Sequence, residues 1–308
     1  MNVRVVEDRL SPADAARFRR FEEEFLYPLG PDERFGVRQG DDPLLFFRCL
    51  GPAAMALAED PDGILGAAAL SRVRLRAPDD ALVDAVYVGA LKTHPRARAG
   101  RTLLRLAEAA RRWAEARAVA AFGVVMAGSK EPGSYTGRLG IPLFSLAATC
   151  AVLRVDCAAV LDPSAAPEID AEKGAALFRR LAAREYRVEA RAPEARSERA
   201  GAWLALDDES ACGYLEDTRL AKRLVREDGT ELVSGHLSRF AYSSPDSARR
   251  LVASAARRCA ESGRRFLFVG APSGEPPPAA VPGAALASAS IWTFGLPAGH
   301  WRLNTAEI

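Results

Sequence analysis

The residues best placed to do chemistry lie between Val83 and Leu104. There an apolar run passes through His94-Pro95 into a loop carrying Arg96, Arg98 and Arg101 around Ala99 and Gly100. Apolar residues at helical spacing resume with Leu103, Leu104, Leu106, Ala107, Ala110, Trp113 and Ala114. A helix opening near Arg101 presents unpaired N–H groups and a positive dipole end, the arginines add charge, and Gly100 lets a ligand approach the backbone. Such a loop suits a phosphate or pyrophosphate. The same residues also read as a strand, a basic turn and a surface helix that bind nothing.

The flanking sequence supplies elements to position this loop. Residues 1–6 read as a strand, 12–26 as a helix with Phe18, Phe21 and Phe25 at i, i+3 and i+7, and 43–50 as a second short helix. Strands over 53–58 and 64–75 are separated by Glu59-Asp60-Pro61-Asp62-Gly63, a hairpin signal. After the loop and its helix, 119–126 is a continuous apolar run of the kind a doubly covered strand shows. Residues 134–139 read as a short helix and 146–155 as a closing strand.

His94-Pro95-Arg96-Ala97-Arg98-Ala99-Gly100-Arg101-Thr102 and the helix behind it resemble the acetyl-CoA motif of the GNAT acetyltransferase superfamily. That motif is a strand ending in His-Pro or its equivalent, then Arg/Gln-x-x-Gly-x-Gly/Ala, then a long amphipathic helix. The loop here is shorter than the family pattern and lacks one of its small residues. The resemblance, which covers residues 1 to about 157, implies a mixed α/β (α+β) fold and acetyl-CoA or another acyl-CoA as co-substrate. It places the coenzyme on Leu91, Thr93, Arg96, Arg98, Ala99, Gly100, Arg101 and Thr102. It also implies that Tyr135, in the segment Tyr135-Thr-Gly-Arg-Leu-Gly140-Ile141, protonates the departing thiolate, although a lone Tyr also serves to pack its ring and leave its hydroxyl wet. Where many members carry a catalytic Glu, this chain has Val88-Gly89-Ala90-Leu91, which leaves Asp84 on the same strand and Glu59 at the hairpin as substitute bases. Both also read as solvated strand-end or turn residues. The implied reaction is direct attack of a neutral amine on the thioester.

At 308 residues the chain is long enough for two domains, expected at 1–157 and 158–308. The second half gives a helix with Leu177, Phe178, Leu181 and Tyr186, strands over 202–206, 213–225 and 231–242, a helix from Pro245, a strand over 265–269 and a last strand over 287–296. Residues 226–230 read as a hairpin between the second and third of those strands. This order repeats the first half, so the expected architecture is two GNAT-like domains, each a mostly antiparallel mixed sheet flanked by helices. Asp246 falls at the start of the second copy's helix, where it disfavours an anion, so the coenzyme site is expected in the first domain alone. Trp301 reads as a core aromatic or as the lining of an acceptor pocket between the domains.

A net charge of +2, with arginines interspersed among acids, gives no footprint for nucleic acid. Cys49, Cys150, Cys157, Cys212 and Cys259 form no Cys-x-x-Cys pair, and His94, His236 and His300 are too scattered for a metal site. No signal-peptide pattern heads the sequence and no apolar run approaches the ~20 residues of a membrane helix, so the expected location is cytoplasmic. The expected partner is an amine or other small-molecule acceptor, without nucleic acid or membrane, and a homodimer is allowed. Two functional classes stay open: an N-acyltransferase, and a non-catalytic GNAT-like module for ligand sensing or protein contact.

Overall fold

Five helices and sixteen strands follow one another in a computed structural model that describes residues 1–28, 33–97, 101–160, 166–189, 196–275, 278 and 281–308. The first half runs β1 (Asn2–Glu7), α1 (Pro12–Glu22), β2 (Tyr27–Pro28), β3 (Arg34–Arg38), α2 (Leu45–Arg48), β4 (Ala53–Asp60), β5 (Gly63–Arg76), β6 (Leu82–Thr93), α3 (Thr102–Glu115), β7 (Ala120–Met126) and β8 (Ser145–Asp156). The second half runs β9 (Glu168–Ile169), α4 (Ala171–Leu181), β10 (Arg187–Val188), β11 (Ala202–Ala205), β12 (Ala211–Glu216), β13 (Arg223–Arg226), β14 (Ser234–Tyr242), α5 (Pro245–Glu261), β15 (Phe266–Gly270) and β16 (Ala284–Phe294).

Local chemistry explains the element ends. Ser11 caps α1, accepting from the Asp14 N–H at 3.1 Å, with Pro12 preset for the first helical position. Ser244 and Ser247 form a reciprocal capping box at the start of α5. β5 is buried on both faces from Ile64 to Ser71, then alternates, with Arg72 and Arg74 outward and Val73 and Leu75 inward. Leu106 and Trp113 of α3 pack on one face of the sheet, and α1 and α2 cover the other with Phe18, Phe21, Phe46 and Phe47.

One sheet runs through both halves in the order β1-β4-β5-β6-β7-β16-β8-β15-β14-β12-β11-β9, with β10 added on β5. Only β6/β7 and β14/β15 are parallel pairs among the described strands. The last strand, β16, enters between β7 and β8, and β8 lies between β16 and β15. Each half therefore lends its closing strand across the midline. A small second sheet, β13-β3-β2, joins the two halves again. Among the described residues no helix is long and apolar enough to cross a membrane.

The architecture is the mixed α/β repeat read from the sequence, with corrections to individual elements. α1 ends at Glu22, short of Phe25, and α2 is a single turn, Leu45–Arg48. The helix expected over 134–139 is only a 3₁₀ turn, Pro132–Ser134, because Gly137 and Gly140 take left-handed backbone angles that break a helix. The strand expected over 213–225 is two strands. Thr218 breaks it by binding its own loop, its hydroxyl donating to the Lys222 carbonyl at 3.0 Å. The turn at 226–230 forms, but β13 pairs with β3 of the first half rather than with β14. The helix before Tyr186 stops at Leu181.

Candidate functional site

β6 and β7 run side by side for only three rungs, Ala85↔Ala120, Val86↔Ala121 and Tyr87↔Phe122, and then part. Beyond Tyr87, β6 has no partner strand on its β7 side among the described residues. On its other side, Ala68 of β5 stands against both Ala90 and Leu91 of β6, a β-bulge, and Ala90 takes φ 46°. The bulge turns backbone groups of the Gly89–Leu91 segment out of the ladder at the mouth of a V-shaped notch. Gly89 is needed there, since a Cβ on it would stand 2.8 Å from the Phe47 ring and 3.1 Å from that of Tyr87. On the opposite strand a Cβ on Gly123 would stand 3.0 Å from the Val88 carbonyl oxygen.

The strand then delivers the motif. Leu91 is exposed, Thr93 is half-buried on the rung with Gly66, and a 3₁₀ turn, Pro95–Ala97, leads toward α3. Arg98, Ala99 and Gly100 lie outside the described residues. Arg101 is exposed at the start of α3, which has no side-chain cap among the described residues, so its first-turn N–H groups have no intrahelical partner. Thr102 is buried, its hydroxyl 3.2 Å from the Met1 sulfur. Arg96 does not stand free for an anion as the sequence reading has it: its guanidinium is turned back to the β4–β5 hairpin, 3.2 Å from Asp60 and 3.6 Å from Asp62. His94 is a fastener, accepting from the Arg96 N–H at 3.1 Å and meeting Glu24 at 2.6 Å.

The loop after β7 rises from the same end of the sheet as the notch, because the two strands are parallel. It carries Tyr135, half-buried behind the 3₁₀ turn with the Lys130 amine 6.0 Å from its ring centre. Burial pushes its phenol pKa up, which keeps the hydroxyl protonated. Asp84 is not brought to this place. It pairs with Arg74 on the ladder, five residues before Gly89 and about 17 Å back along β6, and its carboxylate is held by Arg72 at 2.9 Å. Glu59 is likewise taken, by Arg4 and Arg17, each at 2.9 Å.

Sequence reasoning missed the polar groups fastened behind the notch. Lys92, just past the bulge, makes a buried ion pair with Glu22 of α1 at 3.0 Å, and Glu22 also accepts from the Gln39 N–H at 3.1 Å. Across the same face lie Arg196, bidentate to Glu216 at 2.6 and 2.7 Å, and Glu307. Lys222 donates to the Ile308 carbonyl there and lies 4.6 Å from the Phe46 ring centre. Burial, with Arg196 nearby, drives the Lys222 pKa down to about 7, while burial pushes Glu307 up. The type of a lone lysine or glutamate gives no signal of its burial, so these groups were legible only after folding.

The second half repeats the notch. Gly213 stands against both Arg239 and Phe240, and Arg239 takes φ 48°. β14 and β15 part after Leu237↔Val269, and α5 follows as α3 does. Here the notch is filled by the chain itself. Asn304 accepts from the Arg239 N–H at 3.3 Å, Arg302 donates to the Phe240 carbonyl, and the Leu303 carbonyl oxygen lies 2.3 Å from where a Cβ on Gly270 would be. Asp246 and the capping box occupy the helix start.

No family model and no curated protein matches the chain. Among solved structures, the chain is similar to Saccharomyces cerevisiae N-myristoyltransferase with bound myristoyl-CoA, at TM-score 0.62 and 10% identity over 99% of this chain and 87% of that one. A second structure of that yeast enzyme with bound myristoyl-CoA aligns at TM-score 0.61 and 10% identity, covering 98% and 83%. At that identity the likeness is one of fold, and it extends over both halves. The chain therefore has the GNAT fold in the two-lobed form of N-myristoyltransferase.

Proposed function

We propose that the protein is an acyl-CoA-dependent N-acyltransferase whose coenzyme site is the β6/β7 notch of the first half, residues 1–157, with residues 158–308 completing the acceptor side. The observation that carries this reading is the conjunction, at one place, of parted parallel strands, a bulge at Ala90 and the uncapped start of α3. A pantetheine arm lying between the strands pairs with the open edge of β6, and its pyrophosphate reaches the N–H groups of α3 beside Arg101 and Thr102. The motif resemblance adds Arg98, Ala99 and Gly100 as further coenzyme-binding residues.

In the reaction the amine nitrogen attacks the thioester carbonyl, a C–N bond forms, and the C–S bond breaks. N–H groups of the bulged Gly89–Leu91 segment polarise the carbonyl oxygen, Tyr135 gives its proton to the departing thiolate, and the proton that the amine nitrogen releases to solvent restores the Tyr135 phenol through water. Asp84 and Glu59 are held by arginines, so the acceptor enters as the free amine and placement of the two substrates supplies much of the rate. Leu139 and Leu143, strongly exposed just after Tyr135, favour an acyl chain longer than acetyl.

Calorimetric titration with acetyl-CoA, a long-chain acyl-CoA and free CoA tests the reading. One site per chain, tightest for the long-chain donor, is the expected result. Absence of heat with all three overturns it in favour of a non-catalytic module.

A further inference from the structure

Residues 301–305 connect the vertices of the two notches. At one end the Trp301 ring, 2% exposed, lies 5.4 Å from that of Phe122, and Phe122 faces Tyr87 at 5.2 Å in the last rung before β6 and β7 part. Tyr186 also stacks on the indole, at 4.8 Å. The backbone is pinned on both flanks. The Trp301 N–H donates to the Ser273 hydroxyl at 2.7 Å, the Ser273 N–H to the Trp301 carbonyl at 2.8 Å, and the Arg302 N–H to the Tyr186 carbonyl at 3.0 Å. At the other end Asn304 holds the second bulge, and the Thr305 hydroxyl donates to the Phe268 carbonyl at 3.2 Å beside the last rungs of β14/β15.

We infer that residues 301–305 are a strap that sets how far the β6/β7 notch opens, with Trp301 as its positioning residue. The inference rests on reading that notch as the acyl-CoA site. The indole packs on both Tyr186 and Phe122 in a close-packed core, so its bulk is transmitted to the Tyr87–Phe122 rung rather than absorbed. The backbone pins keep the strap from following a smaller side chain inward. Phe122 then drops toward the vacated volume and the vertex changes its spacing. Because a coenzyme lying between the strands needs both edges, a small change there costs affinity more than a comparable cavity elsewhere.

The test compares Trp301→Leu, Trp301→Phe, Asn304→Ala and, as a control, Leu177→Ala, which removes a buried side chain of α4. Hydrogen exchange at Val88–Leu91 is read without ligand, and acyl-CoA affinity by titration. Expected are faster exchange at Val88–Leu91 in Trp301→Leu and Asn304→Ala, with β4 amides unchanged, and long-chain acyl-CoA binding about tenfold weaker in Trp301→Leu. Trp301→Phe should restore most of both, and the acceptor KM should hold. Asn304→Ala leaves the ring packing intact and so keeps the test open if Trp301→Leu does not fold. Equal effects from Leu177→Ala, or unchanged exchange in Asn304→Ala, overturn the strap. A wild-type protein that binds no acyl-CoA overturns the coenzyme reading instead, while the exchange comparison still decides the strap.

Discussion

A single alanine shapes the notch. Ala90 holds a left-handed backbone angle that costs an L-residue about 1–2 kcal/mol, so the bulge is sustained by the ladder on either side of it. Ala90→Gly should stabilise the protein by about 0.5–1 kcal/mol and Ala90→Val should destabilise it by at least about 1 kcal/mol. Urea midpoints at constant slope check both. Tyr135→Phe should lower kcat about 10²-fold while coenzyme affinity stays within about twofold, and turnover equal to wild type would return Tyr135 to a packing role. Little of this was legible in the sequence. Glycine at position 90 would have announced a left-handed angle, but alanine there reads as ordinary strand. The helix behind the basic loop could be read, because the apolar stripe from Leu103 to Ala114 repeats at helical spacing. What could not be read was that Arg96 turns back to Asp60 and Asp62, since facing charges across a hairpin depend on its twist.

Among the elements, α1 is fastened to β6 by the buried Lys92–Glu22 pair, whose members are 70 residues apart. Lys92→Met should cost about 3–5 kcal/mol by leaving Glu22 buried and uncompensated, and adding Glu22→Leu should recover much of it. A thermal or urea double-mutant cycle measures this. Lys222, beside β13, makes a prediction in pH. Its pKa falls from 10.5 in the unfolded chain to about 7 in the fold. Between those values the unfolded chain binds more protons, so this residue's contribution to stability rises with pH, by up to about 1.4 kcal/mol per unit. Lys222→Met should therefore stabilise the protein relative to wild type near pH 6, with the advantage shrinking toward pH 10. A difference independent of pH would show that Lys222 keeps its charge. The element order itself was readable, since apolar periodicity and Pro/Gly breaks act locally. The small β13-β3-β2 sheet was not, because its strands are short and come from both halves.

At the scale of the molecule, β8 and β16 tie the halves into one sheet. The full chain should melt in a single calorimetric transition, and residues 1–157 alone should aggregate, because without β16 the edge from Ala121 to Met126 has no neighbour. Two separate transitions would show that the halves fold independently. No periodicity in the sequence foretells the exchange, because a strand's alternation fixes which face is buried but not which strand lies beside it. The same exchange imposes a wait during synthesis. The edge of β7 is complete at Met126, and its partner begins at Ala284, about 160 residues later. At about 5–20 residues per second a ribosome takes roughly 8–30 s to supply it. For that interval the nascent chain carries an open apolar strand, so the yield of folded protein in a cell should depend on what shields that edge before the last strand emerges.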